Sequence, residues 1–405
     1  MPNLRNCMII GVLIILTTLP MVVFGQSPER ARDWGIPFAG NPGPLNAITD
    51  VPGVWVGQVT LISGEGPLVK GKGPIRTGVT AILPRGRTFD PVYAGWDTFN
   101  GNGDMTGTHW ISESGFLETP VLITNTGNVG IVRDAVWQWM EKHGYYAPFV
   151  PGYWCALPVV AETYDGFLND IDGQHVHAKH VWQAIDLATG GPVLEGSVGG
   201  GTGMICFKFK GGTGTSSRRV ESVLGNFVVG VLVQTNYGVR EEMRIGGLPI
   251  GKALREIPLP VIHDIPSSTR PLAQATGSDR ETGSIIVVIA TDAPLNAIQC
   301  QRMARRALVG ISRMGGKGGN GSGDIFLAFA TGNPGAFSFN GITTVKQFPN
   351  EGMDPFFTAV GEATEEAILN ALVAGRDMTG IQGNTVRGLP KREVQEFLRE
   401  HALLR

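Results

Sequence analysis

Residues 283–295 read Gly-Ser-Ile-Ile-Val-Val-Ile-Ala-Thr-Asp-Ala-Pro-Leu. The run Ile285 to Ala290 is apolar at every position, which predicts a strand covered on both faces rather than one with a solvated side. Directly before it, Ile265 to Thr282 is polar and rich in Pro, Ser, Thr and Gly. A loop this long inside a compact body is uncommon and is usually either functional or disordered. Ser284 thus stands at the first position of a buried strand, with a fixed backbone on one side and an accessible loop on the other. On residue pattern alone, Gly283-Ser284 can be an ordinary loop-to-strand turn. It can also be a cleavage point. If the bond between them were cut, Ser284 would carry both a hydroxyl and a free α-amine, whose reference pKa of about 7.7–8.0 suits a base at neutral pH. Gly283, lacking a Cβ, would let the hydroxyl approach the preceding carbonyl. Gly277-Ser278 in the same loop leads into Asp-Arg-Glu, not a strand, and lacks a rigid platform for a nucleophile.

Working outward, short strand-like runs recur at Thr77–Leu83, Val121–Thr124, Gly203–Phe209, Phe227–Val233 and Ile325–Ala330. Helical spacing appears between them. Asn296 to Met314 places Ile298, Met303, Ala307, Leu308 and Ile311 near one face. Thr364 to Ala374 reads as a second helix with Glu365 and Glu366 in its first turn, where the dipole favours acids. Lys391 to Leu404 reads as a third, with Pro390 at its start. Sheets interleaved with helices predict a layered α/β sandwich, with the strand directions left open.

Composition narrows the function classes. The chain has 405 residues, 33 basic and 35 acidic, a near-neutral balance that gives no electrostatic case for nucleic acid or an anionic membrane surface. With 42% hydrophobic residues and no charge blocks, disorder is excluded. The 58 glycines are about twice average usage and follow no collagen period, which predicts tight turns and close backbone approaches.

At the amino terminus, Arg5 precedes an apolar run from Cys7 to Phe24, followed by Gly25-Gln26-Ser27. A basic residue, an apolar core and a small exit residue predict a secretory signal over residues 1–25, and hence a periplasmic or secreted protein. The run also reaches the lower limit for a membrane span, but Pro20 and the Val23/Gly25 pair favour cleavage. No second long apolar run follows, so the mature body is expected to be soluble. Of the remaining cysteines, Cys155, Cys206 and Cys300, none forms a CxxC spacing. An odd count argues against a disulfide framework and against zinc, and small buried thiols are expected at Cys206 and Cys300.

Familiar catalytic templates are absent. Gly315-Gly-Lys-Gly-Gly-Asn-Gly lacks the Ser or Thr after Lys317 that a phosphate loop needs, no HExxH occurs, and Ser322 fails the GxSxG pattern because Asn320 and Asp324 flank it. His175, His177 and His180 cluster without a carboxylate or Cys at ligand spacing, so no metal site is expected. His109, His143 and His263 carry no functional reading. Gly321-Ser322-Gly323-Asp324 is a second glycine-rich entry into a strand. A hydroxyl and a carboxylate two residues apart on a strand share one face. They could hold the Ser284 amine in place; alone, they also read as a hydrogen-bonded turn.

Six blocks now bear together on one family. They are Leu45-Asn-Ala-Ile-Thr-Asp-Val-Pro-Gly-Val, Glu162-Thr-Tyr-Asp-Gly-Phe-Leu-Asn-Asp, Gly196-Ser-Val-Gly-Gly-Gly-Thr-Gly-Met, Gln234-Thr-Asn-Tyr-Gly, the Gly283 stretch quoted above, and Gly321-Ser-Gly-Asp-Ile-Phe-Leu-Ala-Phe. In this order the chain resembles the β-peptidyl aminopeptidase and L-aminopeptidase D-amidase/D-esterase family from Arg32-Asp-Trp-Gly-Ile-Pro-Phe to its carboxyl end. The resemblance implies a four-layer α/β/β/α sandwich similar to the N-terminal-nucleophile hydrolases. It implies self-cleavage between Gly283 and Ser284 into an α chain (26–283) and a β chain (284–405) that stay together as one composite domain. Carried over by residue, Ser284 is the nucleophile, Ser322 and Asp324 orient its amine, and Asn236 donates to the oxyanion. Tyr164 adds a hydroxyl near that oxygen, and Glu162 binds the substrate's free amino group. Asp324 is one methylene shorter than the Glu expected in some β-peptidases. No metal or cofactor is called for, and a homo-oligomer of processed pairs is expected. The activity implied is release of amino-terminal β-amino or α-amino residues from short peptides, amides and esters. An L-aminopeptidase with D-amidase/D-esterase activity is the nearest alternative. An acyl transferase similar to ornithine acetyltransferase shares the architecture, but no acceptor motif stands out.

Overall fold

The structure is a computed structural model that describes residues 29–145, 156–260, 263 and 283–404. The signal-like segment 1–25, Cys155 and the loop 265–282 lie outside the described residues. In chain order the strands are β1 (Trp55–Ser63), β2 (Ile75–Arg87), β3 (Val92–Gly101), β4 (Phe116–Leu117), β5 (Val121–Asn125), β6 (Val159–Thr163), β7 (Ile205–Cys206), β8 (Phe209–Lys210), β9 (Gly212–Ser222), β10 (Gly225–Asn236), β11 (Ser284–Thr291), β12 (Gly323–Ala330), β13 (Met378–Thr379) and β14 (Thr385–Val386). The helices are α1 (Thr108–Ser114), α2 (Val129–Lys142), α3 (Ala178–Asp186), α4 (Ile250–Ala253), α5 (Ala297–Ala304), α6 (Ala307–Arg313), α7 (Asp354–Ala374) and α8 (Lys391–Glu400).

Two sheets carry the body, one ordered β1-β2-β5-β6 and one ordered β4-β3-β12-β11-β10-β9. The directions are mixed: β11–β12 and β5–β6 run parallel, and their other neighbours run antiparallel. The period of two along β11 explains the layering. Ile285, Val287 and Ile289 pack into the core shared with α5, α6 and α7, while Ile286, Val288 and Ala290 pack against Ile82, Val121 and Ile123 of the facing sheet. On the far side of the four-stranded sheet, Leu122 and Val160 meet Val132 and Trp139 of α2 and Val181 and Ile185 of α3. The result is the expected α/β/β/α sandwich. Each fully buried Val, Leu, Ile or Phe side chain contributes about 1.5–3 kcal/mol to it. Glycine serves close approach here: a Cβ on Gly214 of β9 would fall 1.9 Å from the Ala367 carbonyl oxygen of α7.

Three expectations change in detail. The helix predicted over 296–314 breaks at Arg305–Arg306 into α5 and α6, because α5 lies on β3 and β12 while α6 turns onto α7. Gly203–Phe209 is no single strand but a tight hairpin, with Phe207 and Lys208 both left-handed at φ 50° and 61°. The helix holding Glu365 and Glu366 begins at Asp354, so neither acid lies in a first turn. Glu366 is instead buried against Arg32 and Arg218. The carboxyl-terminal helix starts after Pro390 as expected and ends at Glu400. Among the described residues no helix is long and apolar enough to cross a membrane.

Candidate active site

The ends of β10 and β6 and the beginnings of β11 and β12 bring the predicted residues to one end of the sandwich. Ser284 opens β11 directly opposite Asn236, the last residue of β10, in the antiparallel ladder. Both share the parity of Leu232, Ile286 and Val288, so both face the second sheet. The Ser284 hydroxyl accepts a hydrogen bond from the Gly323 N–H at 3.1 Å, which leaves its own proton for a base. The Asn236 amide is held from both ends: Oδ1 accepts from the Ile205 N–H at 2.8 Å, and Nδ2 donates to the Tyr164 carbonyl at 3.0 Å. Those two partners select one orientation of the amide and leave a second Nδ2 proton for another acceptor.

Ser322 and Asp324 do share a face, as the period of two requires. Ser322 Oγ lies 2.8 Å from Asp324 Oδ2 and 2.8 Å from the Gly319 carbonyl oxygen, so one hydroxyl proton serves two acceptors. In the parallel register Ser284 pairs with Gly323 and Ile285 with Asp324. The Ser322–Asp324 pair therefore stands on the helix-side face, opposite to the Ser284 hydroxyl. Groups placed there can address the main-chain nitrogen of Ser284 without competing for its side chain. Asn100 Nδ2 and the Asn102 N–H both donate to the Ser322 carbonyl and pin this turn.

Gly283 is required by space rather than by a left-handed backbone. A Cβ there would fall 1.9 Å from the Asn236 carbonyl oxygen and 2.7 Å from Tyr237 Cα. Gly323 is equally tight, with a Cβ 2.5 Å from the Asn102 carbonyl oxygen. Glycine at these positions lets three chain segments meet at the serine.

Glu162 reaches the site from β6 in the other sheet. It is 5% exposed. Its Oε1 accepts from the Asp104 N–H at 3.1 Å, and its Oε2 accepts from the Thr126 hydroxyl. Burial raises its pKa above the ordinary glutamate value, against the lowering effect of those hydrogen bonds. Gly103 separates it from the start of β12, the strand beside that of Ser284: a Cβ on Gly103 would stand 3.4 Å from Glu162 Oε1 and 3.1 Å from Gly323 Cα. Tyr164 joins the cluster through its carbonyl, as described. Its hydroxyl lies over Gly166, where a Cβ would fall 2.3 Å from the phenolic oxygen.

Sequence reasoning missed several contributors because they act through the main chain or from distant segments. The Gly323 N–H, the Ile205 N–H and the Tyr164 carbonyl have no side-chain signature. Asp165, fully buried and pushed up to about 6 by that burial, accepts from Asn125 and Asn169 beneath the Tyr164 loop. Its place in the Glu162–Asp170 block was the one available signal. In the histidine cluster, His175 Nε2 lies 2.9 Å from Asp170 Oδ2. The His177 N–H bonds to His180 Nδ1 at the start of α3. Cys206 and Cys300 are buried thiols, as expected.

Known proteins resemble this chain over most of its length. The sequence profile of peptidase family S58 matches residues 46–386. The chain is 52% identical over 377 residues to the beta-peptidyl aminopeptidase BapA of Sphingosinicella microcystinivorans, covering 93% of each chain. It is 44% identical over 397 residues to the enzyme of the same name from Sphingosinicella xenopeptidilytica, covering 96% of each. Among solved structures, a Burkholderia sp. beta-aminopeptidase superposes with a TM-score of 0.80 at 48% identity, over 92% of this chain and 99% of that one. The L-aminopeptidase D-Ala-esterase/amidase of Ochrobactrum anthropi, described as a prototype of the serine aminopeptidases and a variant of the Ntn hydrolase fold, gives 0.82 at 44% identity, over 93% and 99%.

Proposed function

The chain belongs to peptidase family S58 and is an aminopeptidase of the Ntn-hydrolase fold; from that premise we propose an exported, self-activated β-peptidyl aminopeptidase whose nucleophile is Ser284. The observation that carries the reading is the Ser284–Asn236 cross-strand pair, with the hydroxyl and the amide on one face and the Ser322–Asp324 pair on the other.

In this mechanism the Ser284 hydroxyl first attacks the Gly283 carbonyl. The peptide becomes an ester, water hydrolyses it, and the α-amine of Ser284 is released. Ser322 and Asp324 then orient that amine, which takes the hydroxyl proton as Oγ attacks the substrate carbonyl. The oxygen that gains charge accepts the second Nδ2 proton of Asn236. The ammonium returns its proton to the departing amine, leaving an acyl-enzyme on Ser284. Water, deprotonated by the same amine, releases the acid. Glu162 pairs with the free ammonium of the substrate, which makes the reaction an aminopeptidase reaction. Tyr164 assists through the carbonyl that holds Asn236.

Two relatives named for β-peptidyl activity, at 52% and 44% identity, support the β-aminoacyl preference. The 44% identical Ochrobactrum structure supports a second reading, an L-aminopeptidase with D-amidase and D-esterase activity. The pattern of residues 1–25 supports export, and the processed pairs are proposed to assemble as a homo-oligomer. Intact mass and amino-terminal sequencing test the core of the reading. The expected result is two chains, the smaller beginning Ser-Ile-Ile-Val. A folded protein that stays one chain overturns the nucleophile. Comparing kcat/KM on β-alanyl, L-alanyl and D-alanyl amides then separates the two activities.

A further inference from the structure

Lys210 is fully buried, at 0% exposure, and the mechanism above gives it no task. Its ammonium donates to the Met204 carbonyl at 2.8 Å and the Gly211 carbonyl at 2.9 Å, and lies 3.5 Å from the Gly201 carbonyl. The Met204 carbonyl also accepts the Gly211 N–H at 2.9 Å. Met204 C=O and Ile205 N–H belong to one rigid peptide plane. The other end of that plane donates to Asn236 Oδ1 at 2.8 Å. A charge on the carbonyl side therefore sits two hydrogen bonds from the Asn236 amide, along one planar unit. It both fixes the plane and polarises the N–H that it presents.

The surroundings show why such a clamp is needed. The hairpin after Ile205 turns through Phe207 and Lys208, both left-handed, a conformation that side-chain-bearing residues adopt at a cost. Arg240 holds the turn from outside: Nη2 donates to the Lys208 carbonyl at 2.6 Å, Nε to the Phe207 carbonyl at 3.3 Å, and the guanidinium stacks 3.7 Å from the Phe209 ring centroid. Lys210 holds it from inside. Burial pulls the Lys210 pKa down to about 7, against the charges of Cys206 and Asp165, which favour the ammonium.

We propose that Lys210 is a positioning residue for hydrolysis, which locks the Met204–Ile205 peptide and thereby aims the Asn236 amide at the developing oxyanion. This rests on Asn236 being the oxyanion donor.

A double-mutant cycle tests it on the full-length protein, with kcat expressed per processed chain counted by intact mass. Lys210→Met keeps the length of the side chain and removes its donors. It is expected to lower kcat about tenfold to a hundredfold, as a small misplacement of a catalytic group does, with KM changed less than about twofold. In the Asn236→Ala background the same change should alter kcat by less than about threefold, because the amide it aims is gone. If Lys210→Met does not accumulate as a folded protein, Lys210→Gln, which keeps amide donors, carries the same cycle with a smaller loss. A folded Lys210 variant with full kcat overturns the inference, and so do losses that multiply with that of Asn236→Ala. If Asn236→Ala itself retains kcat, the oxyanion reading fails and this inference with it, an outcome distinct from an impaired Asn236→Ala beside a fully active Lys210 variant.

Discussion

Asn236 and Ser284 are direct partners across the β10–β11 ladder, and their side chains stand together on the face turned toward the second sheet. A hydroxyl and an amide are thereby set at neighbouring positions by strand register alone. Strand register is rigid, because a slip of one residue would turn both side chains to the opposite face. The pair at Ser322 and Asp324 lies on that opposite face, so in the proposed mechanism attack and amine orientation are served from different sides of one sheet.

Asn236→Ala should lower kcat by about 10²–10³-fold, the usual loss for one oxyanion donor, with KM little changed. Tyr164→Phe should cost far less, since the carbonyl of Tyr164 holds Asn236 and its hydroxyl lies over Gly166. Steady-state kinetics on a chromogenic aminoacyl amide measures both. Equal losses would assign the phenol a direct part.

Gly283→Ala should stall processing. The added methyl would meet the Asn236 carbonyl oxygen at 1.9 Å, and main-chain atoms cannot yield without disturbing the oxyanion donor. Intact mass over time after expression reads the uncut fraction. Rapid, complete cleavage of this variant would show that the strand ends shift freely.

Glu162→Gln should raise KM for substrates with a free amino group and leave kcat comparatively unaffected. The raised pKa of Glu162, caused by burial, sets the sign of the pH effect. A carboxylate with a raised pKa gains its proton at a higher pH than an ordinary glutamate. Substrate binding should therefore weaken as pH falls through that raised value. In Glu162→Gln this acid-side rise in KM should vanish, while the titration of the Ser284 amine remains visible in kcat. KM measured against pH for both proteins checks it.

Glu366→Ala should destabilise the fold by about 3–5 kcal/mol, because it takes from the buried Arg218 guanidinium its nearer carboxylate and leaves it Glu362 at 3.5 Å. Glu366 accepts from Arg218 Nη2 at 2.8 Å, from Arg32 Nε at 2.7 Å and from Asn46 Nδ2 at 2.6 Å, tying the amino-terminal segment to α7 and β9. Burial pushes its pKa up, but the bonds and charges of Arg32, Arg218 and Asn46 outweigh it and leave the pKa lowered. Stability from this group is present above the ordinary glutamate pKa and is lost as pH falls through the lowered one. Thermal melts between neutral and acid pH should show that loss in the parent chain and a flatter profile in Glu366→Gln.

Much of this protein was legible in its residues. The unbroken run Ile285–Ala290 could only be a strand covered on both faces, because each of its residues carries apolar surface that neither face can expose. The shared face of Ser322 and Asp324 followed from the period of two, while their place beside Ser284 came from the family resemblance. Local pattern failed where backbone did the work or where tertiary contact overrode it. Gly203–Phe209 has strand composition, yet it folds into a hairpin under the hold of Arg240 and Lys210. Glu365 and Glu366 looked like first-turn acids, yet Glu366 is a buried partner of two arginines.

The sequence by itself determined the main strands and the α/β layering, because these depend on short-range periodicity, and its family resemblance singled out Ser284 as the proposed nucleophile. Only the tertiary structure decided which main-chain groups complete the site. The Gly323 N–H on Ser284, the Ile205 N–H and Tyr164 carbonyl on Asn236, and the opposed faces of hydroxyl and carboxylate all depend on strand register between segments far apart in the chain. Every residue carries the same N–H and C=O, so no residue letter marks which of them folding will bring to the serine.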